Sequence, residues 1–336
     1  MANILVTGGA GYVGSVCCAR LLELGHSVTI VDDLSTGHAE AVPPGADFCE
    51  FSIEDRDRLS ALLRSQCFDI VFHFAAKALI AESVSNPGLF FDSNVRSGID
   101  MLEVIRTAGI HKFVFSSSAA VYGAPNHIPI SETHPKEPVN AYGESKLMLE
   151  RILDWYARAY GWSVTSLRYF NASGAAHGAG EAHDPETHLI PLALRAAKGL
   201  RDCLEIYGDD YPTPDGTCVR DFVHVLDIAE AHVRVLEDLR DGVATAYNIG
   251  TGAGYTVQEI CRAVETLTGQ PVPVRMRPRR AGDPPVLCAS PKKIMEELGW
   301  KPSHSSLEEI IASAWDWEHA RLRRDDSRVH IGESKA

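Results

Sequence analysis

The sequence predicts an α/β fold: a doubly wound parallel sheet of about seven strands, with a smaller C-terminal α/β lobe beside it. Three features carry that expectation. Short apolar runs alternate with helical stretches through the first half of the chain, and parallel strands need such crossovers, which wind right-handed. A glycine-rich turn lies between the first apolar run and the first helix. After Asn171 the rhythm breaks into turn-rich segments. A length of 336 residues and an apolar content of 45% allow one large core, or one core plus a smaller lobe.

Ile4-Leu5-Val6 reads as the first strand, ending at Thr7-Gly8. Ser15 to Leu24 reads as a helix with Gly25 as its C-terminal cap. Ser27 to Val31 is the second strand and ends at Asp32-Asp33. Gly8, Gly11 and Gly14 form a GxxGxxG turn. Its glycines allow a tight bend, close approach of backbone N–H groups to a pyrophosphate, and close packing of helix on strand. The helix N-terminus then faces the phosphates. This order of elements makes the sheet Rossmann-like. Asp32 stands where it accepts hydrogen bonds from an adenosine ribose and repels a 2′-phosphate, so the cofactor expected is NAD rather than NADP.

The alternation continues with a strand at Ala46–Ser52, a helix at Arg56–Ser65 and a buried strand at Asp69–Ala75. A long helix is expected over Asn94–Thr107, a fifth strand over Lys112–Ser118, a helix over Asn140–Tyr160 and a sixth strand over Ser163–Phe170. In such sheets ligands bind beyond the carboxyl ends of the strands. Gly8, Asp32, Ala75, Ser118 and Asn171 all fall there, so one cleft can gather them.

Beyond Asn171, Gly174 to Asp184 reads as an exposed loop. Its His177 and His183, with His188, read as polar loop residues, because no Cys or carboxylate spacing supports a metal-ligand set. Helices are expected at His188–Gly199, Leu226–Leu239, Thr256–Thr268, Pro291–Leu298 and Leu307–His319. Thr245–Ile249 is expected to rejoin the sheet as its seventh strand. Val272–Arg280 reads as extended and basic, and the charged tail from Arg321 as frayed. The division expected is residues 1–171 plus about 222–255 in a dinucleotide-binding domain, and 172–221 plus 256–330 in a substrate lobe.

On the helix over Asn140–Tyr160, Tyr142 and Lys146 are four residues apart and share a face. A cation there favours the phenolate and lowers a pKa that is ordinarily about 10. A positioned phenolate can take a proton from a hydroxyl. The net charge of −13 argues against nucleic acid as a general partner. Eight scattered cysteines without CxxC spacing read as reduced, buried small side chains of a cytoplasmic protein. No signal peptide is expected at Met1-Ala2-Asn3, and no apolar run approaches the ~18 residues of a membrane span.

With these elements assigned, the chain resembles the extended short-chain dehydrogenase/reductase family over nearly its whole length, and within it the UDP-glucose 4-epimerase family. The stretches that carry the resemblance are Thr7 to Gly14, Phe115 to Gly123, Tyr142-Gly143-Glu144-Ser145-Lys146, Tyr169-Phe170-Asn171 and, most specific, Tyr207 to Val225. The resemblance implies an NAD-dependent isomerase that interconverts UDP-glucose and UDP-galactose. The C4 hydride leaves, the 4-keto sugar turns over, and the hydride returns to the other face. Tyr142 would take the 4-hydroxyl proton, Ser118 would bond the same oxygen, and Lys146 would lower the Tyr142 pKa and hold the nicotinamide ribose.

By the same resemblance the cofactor would contact Gly8, Gly11, Tyr12, Val13 and Gly14 in the first turn. It would also contact Asp32, Asp33, Leu34, Ser35, Thr36 and Gly37 after the second strand. Ser52, Ile53, Phe74, Ala75, Ala76, Asn94, Ser116, Tyr142, Lys146 and Phe170 complete that set. Ser52 departs from the Asp usual there; its hydroxyl can still accept one hydrogen bond from adenine. Ser116 and Ser117 otherwise read as a strand end without chemistry of their own, and Lys77 is given no role. The substrate would meet Ser118, Tyr142, Asn171, His188, Leu189, Glu205, Arg220, Arg280, Asp283 and Leu287, with Arg220 and Arg280 as partners of the diphosphate. Leu287, in the stretch Arg280 to Leu287, falls where relatives carry a residue that gates 2-acetamido sugars. A homodimer through the helices over Asn94–Thr107 and Asn140–Tyr160 is implied as well.

Competing expectations remain open. One is a 4-epimerase for another UDP-sugar: an N-acetylhexosamine, a pentose or a uronate. Another is a catalytically silent NAD-sensing regulator. A nucleotide-sugar 4,6-dehydratase is disfavoured, because Ala119 and Ala120 stand where relatives of that class carry an acid pair.

Overall fold

The computed structural model describes residues 1–280 and 282–333, with side chains as far as Arg323. Ala281, part of the gating stretch, lies outside the described residues. Seven parallel strands form the central sheet: β1 (Asn3–Thr7), β2 (Ser27–Asp32), β3 (Asp47–Glu50), β4 (Ile70–His73), β5 (Lys112–Ser118), β6 (Ser163–Tyr169) and β7 (Ala244–Ile249). Their spatial order is β7-β6-β5-β4-β1-β2-β3. The order reverses between β1 and β4, the position at which such sheets open a crevice.

Side chains alternate across the sheet. On one face Ile4 and Val6 of β1 join a core with Val16 and Leu21 of α1 (Tyr12–Glu23). On the other, Leu5 joins Phe113, Phe115 and Leu149 in a second core. That second core is covered by α2 (Arg56–Ser65), α3 (Ser97–Thr107) and α4 (Ala141–Tyr160). Both faces being covered, the inner strands β1, β4 and β6 are buried nearly throughout, polar side chains of β6 included. The smaller lobe has its own core, in which Ile190 and Leu194 of α5 (Leu189–Ala197) meet Ile260 and Val264 of the helix Val257–Thr268. Ile310 and Ile311 of the C-terminal helix close it.

Several expectations need correction. The first helix begins at Tyr12, not Ser15, because extended Gly11 is its N-cap and Gly14 lies inside it. No α-helix starts at Asn94. A π-helical turn, Phe91–Arg96, precedes α3, and shorter helices Ile80–Ser85 and Pro87–Phe90 stand before it. The wide turn places buried Asn94 against its neighbours, where its amide brackets Lys77. The C-terminal helix runs from Leu307 to Glu333, past the expected end at His319 and through the expected fray from Arg321. No Pro or Gly interrupts it before Gly332. All eight cysteines are free, but only four are buried, and Cys67 is exposed. No helix among the described residues is long and apolar enough to cross a membrane.

Candidate active site

One cavity of about 1100 Å³ runs along the carboxyl ends of the strands, from the glycine turn to the small lobe. At its first end the backbone is shaped by close contacts. Gly8 has φ +77°, and a Cβ there would lie 2.4 Å from Ala75 N. A Cβ on Gly14 would lie 2.2 Å from the Gly8 carbonyl oxygen. A Cβ on Gly11 would meet nothing closer than 3.4 Å, and the residue lines the cavity. No side chain caps the start of α1, so its N–H groups point into the cavity, as an anion requires.

Asp32, at the end of β2, accepts from Ala10 N at 3.0 Å and Leu34 N at 2.9 Å. Burial pushes its carboxyl up, and those two N–H groups pull it back. A carboxylate held beside a capless helix start fits a dinucleotide.

Most residues expected at the cofactor line this cavity: Gly8, Gly11 to Gly14, Asp32, Asp33, Ser35, Thr36, Ser52, Ile53, Phe74 to Ala76, Ser116, Tyr142, Lys146 and Phe170. Three do not. Leu34 only offers its N–H to Asp32. Gly37 lies against Ala10 and Asp32 from behind. Asn94 sits one layer out: it accepts from Lys77 N at 2.8 Å and donates to Ser145 Oγ at 2.9 Å. It shapes the wall without lining it. Lys77, given no role from sequence, is in the wall.

The centre of the cavity is made by β5 and α4. The α4 N-terminus is capped by Asn140, whose Oδ1 accepts from Gly143 N at 2.8 Å. That places Tyr142 in the first turn and Lys146 one turn deeper. Ser118, last residue of β5, accepts from Ala120 N at 3.1 Å. Its hydroxyl proton is then free for Tyr142, with which it shares a hydrogen bond. Burial pushes the Tyr142 phenol up, and the Ser118 bond pulls it back.

Here the direction differs from the expected one: burial holds the Tyr142 phenol above its ordinary value even with Lys146 nearby. Its ammonium donates to the Ser116 carbonyl at 2.8 Å and lies 5.8 Å from the Tyr142 ring centre. Burial pushes Lys146 itself down to about 7, against the charge of Glu150, which raises it.

At the far end, Asn171 binds the Asp221 carbonyl through its backbone N and its Nδ2, at 3.0 and 2.8 Å. Arg220 pairs with Asp283, and the Arg280 guanidinium stacks 3.8 Å over the Tyr207 ring. Arg280 is exposed, with its guanidinium laid on that ring. Glu205 is bound by Arg277 at 2.5 Å and by the Tyr207 hydroxyl at 2.9 Å. Leu287 pairs with Arg220 across short strands. It packs on the cluster of Val121, Tyr122, Ile130 and Leu147 while also lining the cavity, so it is core and wall together.

His188 caps α5. Its Nδ1 meets Glu186 at 2.8 Å and Glu181 at 3.4 Å, and these carboxylates raise its pKa against a burial that lowers it. His183 also bonds Glu181. The sequence reading found no carboxylate for these histidines, yet Glu181, His183 and His188 bring ligand-type atoms within 4.8 Å of one another. The Nδ1 atoms are already engaged by carboxylates. Sequence reading also missed Glu150, which lies four residues beyond Lys146 and could have been found by continuing the same helical face.

A model of the NAD dependent epimerase/dehydratase family matches residues 4–250. A UDP-glucose 4-epimerase of Streptococcus mutans is 48% identical over 97% of this chain and 99% of its own. The crystal structure of UDP-glucose 4-epimerase from Brucella ovis in complex with NAD superposes with a TM-score of 0.90 at 46% identity, covering 94% of this chain and 98% of that one. The enzyme from Bifidobacterium longum in complex with NAD+ and UDP gives 0.89 at 35% identity, over 95% and 98%.

Proposed function

The chain belongs to the NAD dependent epimerase/dehydratase family, and we propose that it is a UDP-glucose 4-epimerase, interconverting UDP-glucose and UDP-galactose. The observation that carries this reading is the placing of Tyr142, Ser118 and Lys146 midway along a single cavity. A dinucleotide cradle lies at one end of it and paired arginines at the other. NAD, when bound, supplies the acceptor that takes the C4 hydride and gives it back. Everything else falls to the chain.

Tyr142 takes the proton of the sugar 4-hydroxyl, and Ser118 donates to the same oxygen as charge develops. Lys146 would hold the nicotinamide ribose and offer its positive charge to the phenolate. Tyr12 and Val13 would bind the pyrophosphate through backbone N–H groups, with Gly11, whose N–H goes to the Gly8 carbonyl, leaving room for its approach, and Asp32 would accept from the ribose. Arg220 and Arg280 exchange their present partners, Asp283 and the Tyr207 ring, for the substrate diphosphate. His188, Leu189 and Asn171 line the same end. With the nucleotide held there, the keto sugar can turn between its faces.

The same assignment divides the chain into residues 1–171 plus about 222–255 for the cofactor, and 172–221 plus 256–330 for the UDP-sugar. A 4,6-dehydratase is disfavoured, since the Ala119–Tyr122 turn brings no carboxylate beside Ser118. Purified protein incubated with UDP-galactose and no added cofactor should form UDP-glucose. Retention of NAD without conversion would overturn the reading in favour of a sensor or of a 4-epimerase for a different UDP-sugar.

Acceptance of 2-acetamido sugars is a second reading, favoured by Leu287. A leucine in the wall leaves more room than a tyrosine would, so UDP-N-acetylglucosamine and its galacto epimer should turn over more slowly than the plain hexoses.

A further inference from the structure

Directly behind the Tyr142–Ser118–Lys146 centre lies a buried polar unit that the chemistry above does not use. Glu150 follows Lys146 by one turn of α4 and is 9% exposed. Its carboxylate is gripped by Arg168 of β6, Nε to Oε1 at 2.9 Å and Nη2 to Oε2 at 2.6 Å. Arg168 is 3% exposed. The Ser117 hydroxyl donates to Glu150 Oε1 at 2.6 Å. The remaining Arg168 nitrogen donates to the Tyr122 hydroxyl at 2.8 Å, and that hydroxyl donates to Asn248 Oδ1 of β7 at 2.7 Å. The unit thus ties α4 to three neighbouring strands. Ser117 stands between Ser116, whose carbonyl receives Lys146, and Ser118, which bonds Tyr142.

We propose that Glu150 and Arg168 are positioning residues for the reaction: a buried ion pair that clamps the end of β5 to α4 and sets the charge that Lys146 meets. The proposal rests on the epimerase reading above. A carboxylate on the next turn supports the ammonium, while Arg168 behind it limits that support. The other titratable groups facing Lys146 are Tyr142 on its own helix and His73 on β4, which burial and Lys146 hold neutral. Neutralising Glu150 leaves Arg168 unpaired behind Lys146, so the lysine gives up its proton at lower pH. A shorter cation at 168 keeps the charge but cannot make the two-point grip, so the geometry loosens while the charge stays.

The test compares Glu150→Gln and Arg168→Lys with the unaltered NAD-loaded protein, using UDP-galactose turnover against pH. Glu150→Gln should move the alkaline fall of kcat to lower pH by about half a unit or more. Arg168→Lys should lower kcat roughly tenfold, with KM and the pH limbs unchanged. A crystal structure of Arg168→Lys should show Tyr142 and Ser118 out of hydrogen-bond reach. That arm does not depend on the identity of the substrate, so it separates the clamp from the epimerase reading. A folded Glu150→Gln protein with the original kcat and pH limbs overturns the proposal. So does an Arg168→Lys protein with unchanged kcat and unmoved Tyr142, which remains decisive if Glu150→Gln does not fold.

Discussion

At the scale of single residues, the reacting centre depends on who holds each proton. Tyr142 is kept protonated by burial, and only the Ser118 bond works against that. Tyr142→Phe removes the acceptor and little volume. Turnover should fall by about 10²–10⁴-fold, while NAD copurifies as before; unchanged turnover would show that another group is the base. Lys146 carries the opposite anomaly. Its folded pKa of about 7 lies below the ordinary 10.5. Between those values the unfolded chain binds more protons than the folded one, so stability rises with pH across that window. The cost of burying the charge is felt in full below it. Lys146→Met should therefore raise the melting temperature of cofactor-free protein near pH 6, and the gain should shrink toward pH 10. A gain independent of pH would mean that packing, not charge, is responsible. Leu287→Tyr should abolish turnover of the N-acetyl pair and spare the plain hexose pair. Equal damage to both would place the gate elsewhere.

At the scale of elements, two glycines in one turn have different tasks. Gly14 is where α1 touches the turn below it, and a Cβ there would overlap the Gly8 carbonyl at 2.2 Å. Gly11 is open except for one ordinary contact at 3.4 Å. Gly14→Ala should thus lower the melting temperature of the cofactor-free protein, while Gly11→Ala should leave it almost unchanged. Both should lose bound NAD, one through the helix and one through the phosphate approach. Absorbance of released cofactor and thermal unfolding separate the two effects, and equal melting temperatures would refute the distinction. The helix Val257–Thr268 shows the same economy: Thr256 and Glu259 form a reciprocal capping box, and Thr256 also reaches Asp215 at 2.5 Å. Thr256→Ala should destabilise the small lobe by about 1 kcal/mol.

At the scale of the whole molecule, the chain leaves apolar side chains in water on the two helices expected to pair. Trp155 of α4 is 66% exposed, and Ile99 of α3 is 38% exposed. Both stand on the outer face of the layer that covers the second core. A partner chain bringing the same helices would bury them by packing four helices together about a two-fold axis. We expect a homodimer by light scattering at micromolar concentration, and a monomer for Trp155→Glu. A monomeric parent protein would count against it.

The sequence by itself determined the parallel sheet, its seven strands, and the cleft at their carboxyl ends. These follow from local signals: apolar runs, glycine spacing, caps, and the acid after β2. It also determined Tyr142 and Lys146 as a pair, since four residues along a helix is a local distance. Only the tertiary structure decided what each side chain meets. Lys146 turns to the Ser116 carbonyl because β5 ends beside it, and burial sets the direction of the Tyr142 shift. Glu181 meets His188 because the loop before α5 turns back on itself. Arg280 finds the Tyr207 ring, and Arg168 of β6 finds Glu150 on α4. Periodicity can say which face a residue occupies. It carries no term for a partner far away in the chain, and burial, which moves the pKa of Tyr142 and Lys146, is a property of the packed molecule alone.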